Sequence, residues 1–202
     1  AAVLPDDLSG FDEEHQLSLQ VIRENMLKNH GYYKVTEDGV EQCLISCDDG
    51  VYRFTPPESE EQDWTVEKLV DEAASDAVLV DLDQDGEKEL ILISPFHGEH
   101  IYFYKKIDGD YKKVYTYDTA DFAHAIYGGT LLGKPAVIIG HRKGERNLLL
   151  FTWEQEKGQY QVEILDRDCG PANVFKYERG TEEVLISTNR EIDEVAMYTF
   201  EK

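Results

Sequence analysis

The stretch from Ser75 to Tyr104 reads SDAVLVDLDQDGEKELILISPFHGEHIYFY. It holds three apolar runs, Ala77 to Val80, Leu90 to Ile93 and Ile101 to Tyr104, divided by an acidic loop and by a shorter loop with Phe96, His97 and Gly98. Runs this short, and this rich in β-branched and aromatic side chains, fit strands rather than helices.

The rest of the chain repeats the pattern. The second run of each unit ends in a small residue, at Ser46, Ser94, Gly140 and Ser187, with intervals of 48, 46 and 47. The third run ends in an aromatic, at Phe54, Tyr104, Phe151 and Tyr198, with intervals of 50, 47 and 47. A fourth run follows in three units, Trp64 to Val70, Tyr111 to Tyr117 and Tyr160 to Leu165. Four short strands per repeat of this length predict an all-β chain, a β-propeller of four four-stranded blade units over residues 25–70, 71–118, 119–166 and 167–202 of a single domain, 1–202. The last unit lacks a fourth run, while Leu17 to Ile22, LSLQVI, alternates in hydropathy and stands free. A strand over 16–23 that closes the last blade removes two open sheet edges; a short amphipathic helix is the other reading of that segment. A ring of four blades and part of a larger propeller both satisfy the pattern.

The loop from Asp81 to Glu89, DLDQDGEKE, sets carboxylates at its first, third, fifth and ninth positions around Gly86. Alternate residues of a tightly curled loop point inward, so Asp81, Asp83, Asp85 and Glu89, with the carbonyl of Glu87, suit a hard cation such as calcium. The alternative is an acidic turn that holds no ion. Ile93 stands where an EF-hand places its bidentate glutamate, and the flanks are strands. Together with the apolar strand that follows, the segment resembles the FG-GAP or VCBS-like repeat of β-propeller proteins. The resemblance implies calcium in this loop alone: the equivalent loops at Thr36 to Gly39, Leu132 to Pro135 and Glu178 to Thr181 lack the carboxylate series.

The chain has 202 residues, 41% of them hydrophobic and 11% aromatic, enough for a packed core. Its 42 acidic against 20 basic residues give a formal charge of −22, which repels nucleic acid and anionic membrane and implies no partner of either kind. No run is long enough to span a bilayer as a helix. Cys43, Cys47 and Cys169 show no zinc-type spacing and read as reduced thiols, which favours the cytoplasm; a mature start after cleavage is also compatible with the first residues, so secretion stays open.

In an up-and-down blade the loop entering the first strand and the loop joining the second to the third emerge on one face. That face collects Asn29, His30, Asp48 and Asp49; Asp76, Phe96, His97 and His100; His124, His141 and Arg142; and Asn173, Asn189 and Arg190. Five of the six histidines lie in this set. Such a funnel suits a small polar ligand, carbohydrate first. Its imidazoles also suit a transition metal. In a second reading the chain is a sugar lyase or dehydratase, with His30, His97, His124 or His141 as acid or base and Arg142 or Arg190 clamping an anion; in a third it is an interaction scaffold. Self-association or a partner chain would complete a larger ring.

Overall fold

The computed structural model describes residues 7–17, 19–59 and 61–201. Their strands form four antiparallel sheets, each meandering outward in chain order. Blade 1 contains β1 (Tyr32–Glu37), β2 (Val40–Cys47), β3 (Gly50–Thr55) and β4 (Thr65–Val70). Blade 2 contains β5 (Asp76–Val80), β6 (Glu89–Ile93), β7 (Ile101–Ile107) and β8 (Asp110–Tyr117). Blade 3 contains β9 (Ala123–Leu131), β10 (Lys134–His141), β11 (Leu148–Glu154) and β12 (Gln159–Asp166). Blade 4 has three strands, β13 (Pro171–Arg179), β14 (Glu182–Asn189) and β15 (Glu194–Glu201). The architecture is the expected four-blade β-propeller, with β1, β5, β9 and β13 innermost. Asp38-Gly39 and Leu132-Gly133 close their hairpins in two residues, all with positive φ, the twist that matches paired strands.

The pairing corrects the repeat register read from the small residues. Ser46 pairs with Val51, Ile93 with Ile101, Gly140 with Leu148 and Thr188 with Val195. Each of these partners lies three residues before the aromatic of its blade, so the true equivalents are Ser46, Ile93, Gly140 and Thr188. Ser94 and Ser187 are one residue out, because the loops that follow differ in length and the small residue drifts with them. A slip of one residue exchanges the two faces of a strand, so the correction decides which side chains meet.

With the corrected register the packing is regular. Blade 1 turns Val35, Leu44 and Val51 onto Ala77, Leu79, Leu90, Leu92 and Tyr104 of blade 2. Blade 2 turns Val78, Ile91, Ile101 and Phe103 onto Val137, Ile139, Leu149 and Phe151 of blade 3. Blade 3 turns Ala125, Ile138 and Leu148 onto Val174, Leu185 and Tyr198 of blade 4. Phe103 and Phe151 are fully buried with ring centroids 5.4 Å apart, and truncating either to alanine costs about 3–5 kcal/mol.

No comparable packing joins blade 4 back to blade 1 among the described residues. Blade 4 therefore shows solvent the face that the other blades bury. Val195 is 72% exposed where Val51, Ile101 and Leu148 are buried, and Met197 is 56% exposed where Phe103 is buried. Phe175 of the same face is also exposed.

The expected closing strand at 16–23 does not form among the described residues; Ser18 lies outside them. The segment runs without strand pairing, and Ile22 and Met26 pack on Cys47, Tyr52 and Phe54, the outward face of blade 1. Arg23 places its guanidinium 4.4 Å from the Tyr52 ring centroid and donates to the Tyr52 hydroxyl at 3.1 Å. An apolar face next to it in sequence is reached by a shorter loop closure than the distant edge of β15. No helix among the described residues is long and apolar enough to cross a membrane.

Candidate functional site

Three imidazoles meet at the mouth of the propeller. His30 enters from the segment before β1, His97 from the loop joining β6 to β7, and His124 from the start of β9. Register explains two of them. His30 and His124 each stand one residue before the inner-strand partner of Ser46 and Gly140, namely Gly31 and Ala125. In blade 2 that place belongs to Ser75, and in blade 4 to Ala172.

Blade 2 supplies its histidine by another route. The Ser75 hydroxyl donates to the Ser94 carbonyl at 2.8 Å and accepts the His97 backbone N–H at 2.9 Å, so the serine holds the loop that swings His97 into the gap. The loop turns sharply there: Phe96 and His97 both have positive φ, 50° and 57°. A bulky side chain in that region is uncommon and implies that the surroundings hold it. Ala123 N–H donates to the Gly98 carbonyl at 3.2 Å, which ties the mouth loops of blades 2 and 3 together, and Arg142 N–H donates to the Phe122 carbonyl at 3.1 Å within blade 3.

The His97 and His124 rings stack with centroids 4.5 Å apart, and His30 stands edge-on to both, at 4.8 and 5.7 Å. One ring nitrogen from each lies within 4.8 Å of the others. Nδ1 of His97 and Nδ1 of His124 are buried and make no hydrogen bond. Burial, then the neighbouring His124 and His30, pulls the His97 pKa down to about 4, so its imidazole is neutral at neutral pH. Burial lowers His124 as well, and the nearby backbone of Ala172 offsets only part of that pull.

Aromatic and charged groups surround the trio. Phe122 lies 4.7 Å from the His97 ring and carries Arg142 on its face at 4.9 Å. Arg142 gives two hydrogen bonds, 2.8 and 2.6 Å, to Oε1 of Glu191 from the short helix Arg190–Ile192 of blade 4. Phe96 is exposed, with the Lys28 ammonium 4.1 Å from its ring centroid. Asp76 sits against Gly31, its Oδ1 accepting the Ala77 N–H at 2.9 Å; burial pushes its carboxyl up to about 7.

Other expected funnel residues stand apart. His141 is buried and uses both ring nitrogens in its own loop, Nδ1 with the Lys143 carbonyl at 3.0 Å and Nε2 accepting the Asn147 N–H at 3.0 Å. That leaves it no free nitrogen for acid or base work. His100 turns outward to the Asp118 carboxylate, 3.2 Å away, and stacks on Tyr102. Asp49 accepts from the Cys47 thiol at 3.0 Å and the Tyr52 hydroxyl at 2.7 Å. Asn189 is buried, accepting from Ser187 and donating to Glu194. Asn173, inside β13, accepts the Val174 N–H at 2.9 Å, while Asn29 and Arg190 are exposed. Phe122 and Ser75, which build the site, were missed: an aromatic two residues from a histidine and a serine just before a strand carry no motif.

At the opposite end of blade 2, Asp81, Asp83 and Glu89 converge. The Lys105 ammonium reaches among them: it pairs with Asp83 and lies 3.6 Å from Glu89 and 4.0 Å from Asp85. Oδ1 of Asp81 is buried without a hydrogen-bond partner. Glu89 is buried, accepting the Leu82 N–H at 2.7 Å and the Tyr160 hydroxyl at 3.3 Å, and burial pushes its carboxyl up to about 7. Asp85 and the Glu87 side chain stay exposed at the rim, outside the converging group.

No protein-family model and no curated protein matches the chain. Among solved structures it is similar to a protein of Bacteroides fragilis provisionally named as a 6-phosphogluconolactonase, at TM-score 0.56 and 16% identity, covering 86% of this chain and 50% of that one. The chain thus spans about half the length of that structure. A GH43 β-1,3-galactosidase solved with galactodeoxynojirimycin aligns at TM-score 0.48 and 6% identity over 87% of this chain and 70% of that one. The likeness to the Bacteroides protein, at 16% identity, supports the β-propeller fold and nothing finer.

Proposed function

We propose that the mouth of this propeller binds a small, oxygen-rich polar ligand of the carbohydrate class. The observation that carries the reading is the meeting of His30, His97 and His124 from three blades, with two buried ring nitrogens left without partners. A buried polar atom without a partner costs about 1–3 kcal/mol, which a ligand hydroxyl or carboxylate repays on binding. Exposed Phe96 beside the trio offers an apolar face for a sugar ring, and Lys28 above it a donor. The sugar-lactone name of the Bacteroides protein accords with this ligand class.

Binding is favoured over elimination chemistry by the state of Arg142. Its guanidinium is already committed to Glu191 and Phe122, so of the two expected clamps only the exposed Arg190 is left for a substrate carboxylate. The test is calorimetric titration with neutral sugars and uronic acids, on the native chain and on His97→Ala. Micromolar to millimolar binding that weakens at least about tenfold in the variant supports the reading. Absence of binding across the panel overturns it, and turnover of a uronic acid would restore the lyase.

Calcium in the Asp81–Glu89 loop is a second reading, supported by the orphaned Oδ1 of Asp81 and the convergence of three carboxylates. The ion would take the place of the Lys105 ammonium and neutralise the same group.

A further inference from the structure

We propose that His30, His97 and His124 together hold one divalent transition-metal ion of the zinc type, through one ring nitrogen each, with an open coordination position facing the mouth. The proposal rests on the mouth being the ligand site and names what anchors the ligand there.

Geometry comes first. In a tetrahedral zinc site with metal–nitrogen distances near 2.0–2.1 Å, ligand nitrogens stand about 3.3 Å apart. The three nitrogens here already lie within 4.8 Å of one another, so side-chain rotations closing gaps of at most about 1.5 Å complete the set. His30 is exposed and free to make such a rotation. The unpartnered Nδ1 atoms of His97 and His124 point to the same ligand class, since packing alone would be served by phenylalanine or leucine without orphaning a nitrogen.

Ligand chemistry then selects the ion. An all-imidazole set suits zinc, nickel, cobalt or copper, and it discriminates against calcium and magnesium, which take oxygen. Blade 4 holds Ala172 where blades 1 and 3 hold histidine, so no fourth imidazole closes the site among the described residues. Three protein ligands and an open position is the arrangement of metal sites that bind an exogenous oxygen. The Arg142 cation would oppose a nearby metal, and its pairing with Glu191 offsets that charge.

The experiment uses the full chain, free of any affinity tag and stripped with a chelator. Zinc is titrated calorimetrically with saturating calcium present, so that the acidic loop does not compete, and cobalt is added separately for its visible spectrum. One zinc per chain with sub-millimolar affinity, and a cobalt spectrum of the intense tetrahedral type, support the site. His97→Ala, His124→Ala and His30→Ala should each weaken zinc by at least about tenfold, given that even groups supporting a metal ligand are worth 10–100-fold. Exposed His30 covers the case in which a half-buried variant fails to fold. Zinc affinity unchanged in His30→Ala, or in either half-buried variant that folds, overturns the site. Sugar binding is measured with zinc and with chelator. Zinc bound without any sugar affinity refutes the ligand reading and leaves the metal standing. Equal sugar affinity in both, with no zinc bound, refutes the metal and leaves the ligand.

Discussion

Gly31 is the point at which sequence, packing and site are most tightly bound. A Cβ built there would lie 2.5 Å from both Cα and Oδ1 of Asp76 and 2.7 Å from the Ser75 carbonyl oxygen. Ordinary contact distances are about 3.5–4.0 Å, so one backbone must move by about 1 Å, and two of the three obstacles are backbone atoms that no rotamer change relieves. Gly31→Ala should therefore destabilise the chain by about 1–3 kcal/mol, the range for overpacking a tight contact. At about 2–4 °C per kcal/mol for a chain of this size, Tm falls by about 2–12 °C in calorimetry. Ser75 also holds His97 through its hydroxyl, so the displaced strand should carry that imidazole away from His30 and weaken zinc in parallel. Gly10→Ala is the control, because its Cβ would meet nothing. A Gly31→Ala protein melting within about a degree of the native chain, with zinc affinity intact, would refute the close approach of β1 and β5.

Asp76→Asn should stabilise the fold in a pH-dependent way. The folded carboxyl titrates at about 7 against an ordinary 3.8, so the folded state binds the extra proton and stability falls as pH rises from about 4 through 7; the three-unit difference corresponds to at most about 4 kcal/mol regained by the amide above pH 7. Chemical denaturation at pH 4 and pH 8 checks this, and equal effects at both would contradict it. At the acidic loop, calcium at about a hundred times its dissociation constant should add about 2.7 kcal/mol, or about 5–11 °C in Tm. Lys105→Met, which removes the resident cation, should strengthen that response and Asp83→Asn should reduce it; a melting curve indifferent to calcium in all three proteins rules the ion out.

The blades were legible because each packs an aromatic at the same place, buried in three blades and half-buried at Tyr198. Tyr104, Phe151 and Tyr198 pack on the preceding blade, Phe54 packs at the same place of blade 1 on Ile22 and Met26, and a position fixed by packing keeps its spacing. The small residues at the ends of the second strands answer to the loop that follows, and those loops range from the tight turn at Asp48-Asp49 to the seven residues between Ile93 and Ile101. They slid by one residue in blades 2 and 4 for that reason. The segment at 16–23 misled differently: its alternation is real, yet Leu19 and Val21 are exposed, and the apolar residues that find a surface are Ile22 and Met26, on blade 1.

The site was half legible for the same physical cause. Polar residues matched by loop position formed the expected funnel, but loop position fixes only the end of the blade, and strand register fixes the direction of the side chain. His30 and His124 converge because register gives them equivalent places in alternate blades. His97, expected on this face from its loop, joins them from a different place in the repeat; a serine hydroxyl and two consecutive left-handed residues put it there. His141 follows a bulge between Gly140 and His141, which turns its ring into the protein, where a backbone N–H and a carbonyl take both nitrogens. One bulge thus separates a histidine that can take a ligand from one that cannot, and a bulge leaves no mark in a sequence of alternating apolar residues.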